Sequence, residues 1–215
     1  MIGRHCFWRM SRGAPVGVAL ALGLTLFVVL ALPVGAEPNA GTTITVTSTA
    51  PDTGGPDCKL RDAFTAANTG GVAGGCDGSS GGPYTIVLAP GATYTLIYTD
   101  NIGMYGHANG LPQVTAADVT VVGNMAVIQR GDAVGVPEFR FLEVMSRTTL
   151  TLNRVVLQNA KADDEGDGAA LQNWGVVHIL ASIIANNQTF CGGAISNVGE
   201  MTITNSLITQ NRAFG

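Results

Sequence analysis

The sequence predicts an all-β protein, a right-handed parallel β-helix preceded by a short capping helix. Three observations carry this expectation. GAALQNWG at Gly168 to Gly175 returns as GGAISNVG at Gly192 to Gly199, 24 residues later. VHILASIIANN from Val177 matches MTITNSLITQN from Met201 at the same offset, so that Ile179, Ser182 and Asn187 fall on Ile203, Ser206 and Asn211. Between these matches lie β-branched runs of four or five residues broken by Asn or Gly, with no apolar spacing of 3.6. A period of this size is one turn of a solenoid, and short β-type runs favour stacked strands over helical repeats. A leucine-rich repeat has a similar period, but its regular Leu pattern is missing.

The chain opens on an export signal. Arg4, Arg9 and Arg12 precede a charge-free apolar run from Val16 to Leu32, which ends in the small-residue site Val34-Gly35-Ala36. Cleavage after Ala36 makes residues 1–36 a signal peptide. The alternative is a membrane anchor, since the run approaches the length needed to span a bilayer. The whole chain has 11 basic and 15 acidic residues, and loss of three arginines leaves 8 against 15, a formal charge of −7. That balance disfavours nucleic acid and anionic lipid as partners. Contact with a membrane is expected only through the signal segment or an anchor beyond the C-terminal residue.

Residues 37–82 read as an N-terminal cap module. Its helix is expected over 58–68, CKLRDAFTAAN, where Leu60, Ala63, Phe64 and Ala67 share a face, Asp57 caps the start and Gly70 follows the end. Such a helix would cover the core and unpaired strands at the first coil. Cys58 and Cys76 bracket a Gly-rich loop, and export permits a disulfide between them. Cys6 leaves with the signal, and Cys191 is left over as a buried thiol or a reactive one.

Residues 83–215 supply the strands. YTIVL, TYTLIYT, DVTVVG, AVIQR and FRFLEV, between Tyr84 and Val144, form irregular first coils, and LTLNRVVLQN from Leu150 is a further copy of the repeat, 27 residues before Val177. Leu152, Ile179 and Ile203 should stack, each burial contributing roughly 1.5–3 kcal/mol. Gly168, Gly192, Asn173 and Asn197 are expected at equivalent coil corners, where Asn tolerates left-handed backbone and its amide can bond the Asn above. The chain ends where another Gly-Ala-x-x-x-Asn turn is due, so a fragment of a longer solenoid is expected.

The segments TITVTSTAPD and CKLRDAFTAANTGG resemble the module named for its Cys-Ser-Leu-Arg-Glu-Ala consensus, which precedes β-helices in exported bacterial proteins. Cys58, Leu60, Arg61 and Ala63 match it; Lys59 and Asp62 depart from it. GGAISN and NRAFG are similar to the repeats of polymorphic outer membrane proteins. The resemblance implies a pectin-lyase-like β-helix, secreted or at the cell surface, and no catalytic residues. The function expected is that of an exported structural or adhesive module binding carbohydrate or surface proteins.

The chemistry-bearing residues are few. Asp163, Asp164, Glu165 and Asp167 could hold Ca²⁺, the one cofactor the chain suggests, although their spacing fits neither an EF-hand nor the RTX nonapeptide and a solvated loop inserted between coils explains them better. The enzymatic alternative is a polysaccharide lyase or glycoside hydrolase. A lyase needs an Arg or Lys base, for which Arg130, Arg140, Arg147 and Arg154 are available, each otherwise a corner residue facing water. A paired-carboxylate hydrolase cannot be assembled from spacing alone, and His107 and His178 stand outside any nucleophile motif. Trp174 replaces the Val198 of the next repeat, either exposed for stacking on a ligand or packed across its corner.

Overall fold

The computed structural model describes residues 41–162, 167–190 and 192–214. Mainly parallel strands dominate. The largest sheet has nine strands, and six of them run in the order Thr42–Thr45, Tyr84–Val87, Asp118–Arg130, Thr149–Gln158, Val176–Leu180 and Glu200–Thr204. Thr93–Leu96 pairs with the second half of Asp118–Arg130. Ile183–Ala185 pairs with the second half of Thr149–Gln158 and carries Leu207–Thr209 on its far side. Leu142–Val144, Leu171–Asn173 and Ile195–Asn197 make a separate three-stranded parallel sheet, and Gln188–Thr189 pairs in parallel with Arg212–Ala213. Two small antiparallel pairs complete the set, Val72–Ala73 with Cys76–Asp77 and Asn101–Ile102 with Ala108–Asn109.

This arrangement corrects the expectation of a right-handed parallel β-helix. The strands fall into several separate sheets, two of them antiparallel, with one helix, and together they form a mixed, mainly parallel sheet assembly instead of one continuous solenoid. The reason lies in the uneven period. Cross-strand partners are 24 residues apart only in the last layers (Asn173 to Asn197), 27 in the layer before (Val155 to Ser182) and 29 at Gln129 to Gln158. The surplus residues become turns and hairpins of their own. At one such irregularity Val122 lies opposite Asn153 and Ala126 opposite Val155, so Gly123, Asn124 and Met125 face Arg154 alone. Asn124, Met125 and Arg154 all have positive φ there, and a Cβ on Gly123 would stand 2.4 Å from the Arg154 carbonyl oxygen.

The register within the large sheet is the one read from the sequence. Leu152 lies opposite Ile179 and Ile179 opposite Ile203, each on a parallel neighbour. The apolar doublets split by parity: Leu157 and Ile184 point into the core, while Val156 and Ile183 take the other face. Gly168 and Gly192 do turn corners with positive φ, and at Gly168 a Cβ would meet the Leu171 carbonyl oxygen at 2.3 Å. Asn173 and Asn197, by contrast, end strands without left-handed backbone; the left-handed non-glycine corners of those layers are Ala181, Asn186, Asn205 and Gln210. The amide contact expected between the two asparagines does form, with Asn173 Nδ2 donating to Asn197 Oδ1 at 2.6 Å.

The helix runs from Leu60 to Thr69, with Lys59 and not Asp57 at its N-cap, and stops at Gly70 in the left-handed conformation. Leu60, Ala63, Phe64 and Ala67 are buried, and the helix packs on the edge strand Thr42–Thr45 and on Tyr84–Val87. Cys58 and Cys76 are joined by a disulfide. Two polar side chains fasten this module to the sheets. Arg61, itself buried, donates from Nε to the Gly110 carbonyl at 3.0 Å and from Nη2 to the Tyr98 carbonyl. Asn68 Oδ1 accepts the N–H groups of Thr115 and Ala116 at 2.9 and 3.1 Å. No helix among the described residues is long and apolar enough to cross a membrane.

Candidate binding site

Parity places Glu143, Gln172 and Ser196 side by side on one row of the three-stranded sheet, facing away from Leu142 and Leu171. A carboxylate in a β-type run would ordinarily be exposed, yet Glu143 is buried because the hairpin from Asn101 to Asn109 folds over it. Its oxygens accept three neutral donors: the Met104 N–H at 3.1 Å, Asn109 Nδ2 at 2.9 Å and Gln113 Nε2 at 2.7 Å. The hairpin can approach so closely because residue 103 is glycine, where a Cβ would lie 1.9 Å from Glu143 Oε2. Asn109 is held in turn by Asn101 Oδ1 at 2.8 Å. With its lone pairs so engaged, Glu143 anchors the hairpin and is poorly placed to act as a base.

That anchoring presents Tyr105. Its φ of 65° is left-handed, a conformation that costs a non-glycine residue roughly 1–2 kcal/mol. The ring is 73% exposed and lies 5.6 Å from the ring of Trp174, tilted by 44°. Trp174 Nε1 and Gln172 Oε1 are buried and have no hydrogen-bond partner among the described residues. The result is an aromatic pair next to a buried polar row that keeps an unused donor and acceptor, at Trp174 and Gln172. Burial lowers the pKa of the Arg61 guanidinium from its ordinary value, while the nearby charges of Asp100 and Tyr98 act against that shift. Through Tyr98, Arg61 ties the loop that leads into the hairpin to the cap module.

A second concavity, about 340 Å³, opens between Glu138, Lys161, Gln188, Phe190 and Phe214. Lys161 and Glu138 form an ion pair across it, so its charges are already matched.

The residues singled out in the sequence are scattered by comparison. Asp163, Asp164 and Glu165 lie outside the described residues, as do Cys6 and Cys191; Asp167 is exposed, and no group of three metal-ligating side chains occurs among the described residues. Arg130 bonds the Pro137 carbonyl at 2.8 Å, Arg147 and Arg154 are exposed at separate left-handed turns, and Arg140 is buried instead of facing water. His178 Nδ1 is 2.6 Å from Thr202 Oγ1, and His107 follows the turn that carries Tyr105. Trp174 is the one such residue that joins the site. Glu143, Gln113 and Tyr105 were not singled out, although a charge flanked by Leu142 and Val144 was a signal available in FRFLEV.

No protein-family model matches the chain, and no curated protein or solved structure matches it either.

Proposed function

We propose that this protein is an exported structural or adhesive module that binds carbohydrate through the surface formed by Tyr105 and Trp174. The observation that carries the reading is the tilted pair of rings, one of them on an exposed residue at a backbone turn held in an unfavourable conformation. Aromatic faces of this kind stack on the C–H surface of sugars. Export is supported by the charge, apolar run and small-residue site of residues 1–36, and by the Cys58–Cys76 disulfide. The resemblance of Cys58, Leu60, Arg61 and Ala63 to the exported-protein consensus agrees with this placement. A lyase role has less to stand on, since Arg147 and Arg154 sit at separate turns, Arg130 ends a strand and bonds the Pro137 carbonyl, and Glu143 is engaged by neutral donors.

Trp8 and Trp174 are the two tryptophans, so Trp8→Phe, needed only where the signal segment is retained, gives a variant whose selectively excited tryptophan emission comes from Trp174 alone. Titrating that variant with a panel of neutral and acidic oligosaccharides should shift its emission saturably, and Tyr105→Ala should weaken the response at least tenfold. Emission unchanged across the panel, or binding indifferent to Tyr105→Ala, refutes the site.

A further inference from the structure

The hairpin that carries Tyr105 has a second face, turned away from Glu143. Along its first arm exposure alternates. Tyr98, Asp100 and Ile102 are exposed, whereas Thr99 and Asn101 are half-buried, and Asn101 bonds inward to Asn109 and to the Leu111 carbonyl. Tyr98 is 52% and Ile102 63% exposed, and Met104 and Tyr105 follow at the tip. Four large apolar side chains left in water therefore fall between Tyr98 and Tyr105. Single exposed apolar residues are ordinary, but a run of them on one element marks a contact surface.

This stripe is held at both ends. At its base Arg61 donates to the Tyr98 carbonyl, and the Asp100 N–H donates to the Asn109 carbonyl at 2.7 Å. At its tip the Met104 N–H is bonded to Glu143, and the Tyr105 ring reaches that of Trp174. The backbone is thus ordered before any ligand arrives, which lowers the entropy cost of binding. Tyr98 and Ile102 lie four positions apart, roughly 13 Å along a strand path, and Tyr105 and Trp174 lie beyond Ile102. Such a span is far longer than one sugar ring.

Charge narrows what fits. No Lys or Arg occurs between Arg61 and Arg130, and Arg61 is buried. Asp100 sets an exposed carboxylate in the middle of the stripe. At the Trp174 end stands Arg147, on a turn packed so tightly that a Cβ on Gly175 would lie 2.5 Å from the Met145 carbonyl oxygen and 2.4 Å from that of Thr148. A polymer with the same charge on every unit is repelled at one end of this surface or the other, and an uncharged chain at neither.

We propose that the ligand is an extended, uncharged polysaccharide chain several units long, which stacks on Tyr105 and Trp174 and continues over Ile102 and Tyr98. Resting on the carbohydrate reading of the two rings, this assigns the length and charge of what is bound and gives Tyr98 a binding role. Asp100 is placed to accept hydrogen bonds from the chain's hydroxyls.

The probes are the disaccharides and hexasaccharides of β-linked glucose, xylose, mannose and N-acetylglucosamine, with galacturonate and glucosamine hexamers as charged counterparts. Each is titrated into the full Trp8→Phe chain and read by Trp174 emission. A neutral hexasaccharide should bind at least tenfold more tightly than its disaccharide and than either charged hexamer. Tyr98→Ala should weaken the hexasaccharide at least fivefold and leave the disaccharide unchanged, whereas Tyr105→Ala weakens both. Circular dichroism checks that the variants fold, and Ile102→Asn, at an exposed position, should give the same split as Tyr98→Ala. Equal affinity for the two lengths, tighter binding of a charged hexamer, or hexasaccharide binding indifferent to both Tyr98→Ala and Ile102→Asn overturns the extended chain while the two-ring site stands. Emission unchanged across the whole panel overturns both.

Discussion

Asn187→Ala tests the side-chain ladder in which the Ser and Asn of each layer accept backbone N–H groups from the layer before it. Asn187 is fully buried, and its Oδ1 is the acceptor for the N–H of Ala160, itself buried. Truncation leaves that N–H without a partner, at a cost of roughly 1–3 kcal/mol, and removes the Nδ2 bond to the Leu157 carbonyl, worth about 1 kcal/mol. The expected loss is therefore about 2–4 kcal/mol. In a domain of this size each kcal/mol lowers Tm by roughly 2–4 °C. Asn211→Ala is the matched control: it removes the same chemistry one layer further out, where Asn211 is only half-buried and its truncation opens the Asn187 N–H to water, and should cost less, about 1 kcal/mol. Urea unfolding followed by far-UV circular dichroism reads both, and comparable m-values show that the same cooperative unit is melting. If Asn187→Ala and Asn211→Ala destabilise equally, or neither does, the ladder is decoration and the argument built on it fails.

Three further outcomes follow from local geometry. Arg147 is exposed with a φ of 68°, so Arg147→Gly should be neutral or stabilising by up to about 1 kcal/mol while Arg147→Val destabilises, as thermal melts of the two variants will report. Cys58→Ser with Cys76→Ser opens a loop with a sequence separation of 18 and should cost about 3 kcal/mol in the chain-entropy account, measured by chemical denaturation against the oxidised protein. A hydrogen bond from Lys59 holds the Asp52 carboxyl below its ordinary pKa, so the contact supports the fold above about pH 3.9, the unfolded value, and is lost as pH falls through the lower folded value. Lys59→Met should move the Asp52 midpoint up toward about 3.9 in a carboxyl NMR titration.

Register was readable from the repeat because stacked layers demand like residues at like positions. Ile179 and Ile203, or Ser182 and Ser206, recur since each must meet its predecessor across a parallel pair. The division into separate sheets was not readable, because it depends on where surplus residues go. Gly123 to Met125 are absorbed as a bulge inside one strand, while the residues around Tyr105 leave as a hairpin, and both look alike as polar, glycine-bearing interruptions. The helix was evident from its apolar face, but its N-cap was misplaced because Asp57 was read as a capping side chain, and the helix starts without one. The site was half visible. Trp174 stood out by breaking the repeat, whereas Glu143 acquires meaning only when the hairpin covers it, a long-range contact that no local pattern encodes.

The two polar systems of this protein answer one physical demand in opposite ways. Backbone and side-chain groups withdrawn from water must be paired, or each costs roughly 1–3 kcal/mol. In the Ser182 and Asn187 layers the demand is met by repetition, since the Ser and Asn of each layer supply acceptors to the layer before it. Around Glu143 it is met by a single hairpin whose donors converge on one carboxylate, and a deficit remains at the buried Gln172 Oε1 and Trp174 Nε1. The desolvation of those two atoms has already been imposed by folding, so a substitution that gives either of them a partner from within the chain should stabilise the fold.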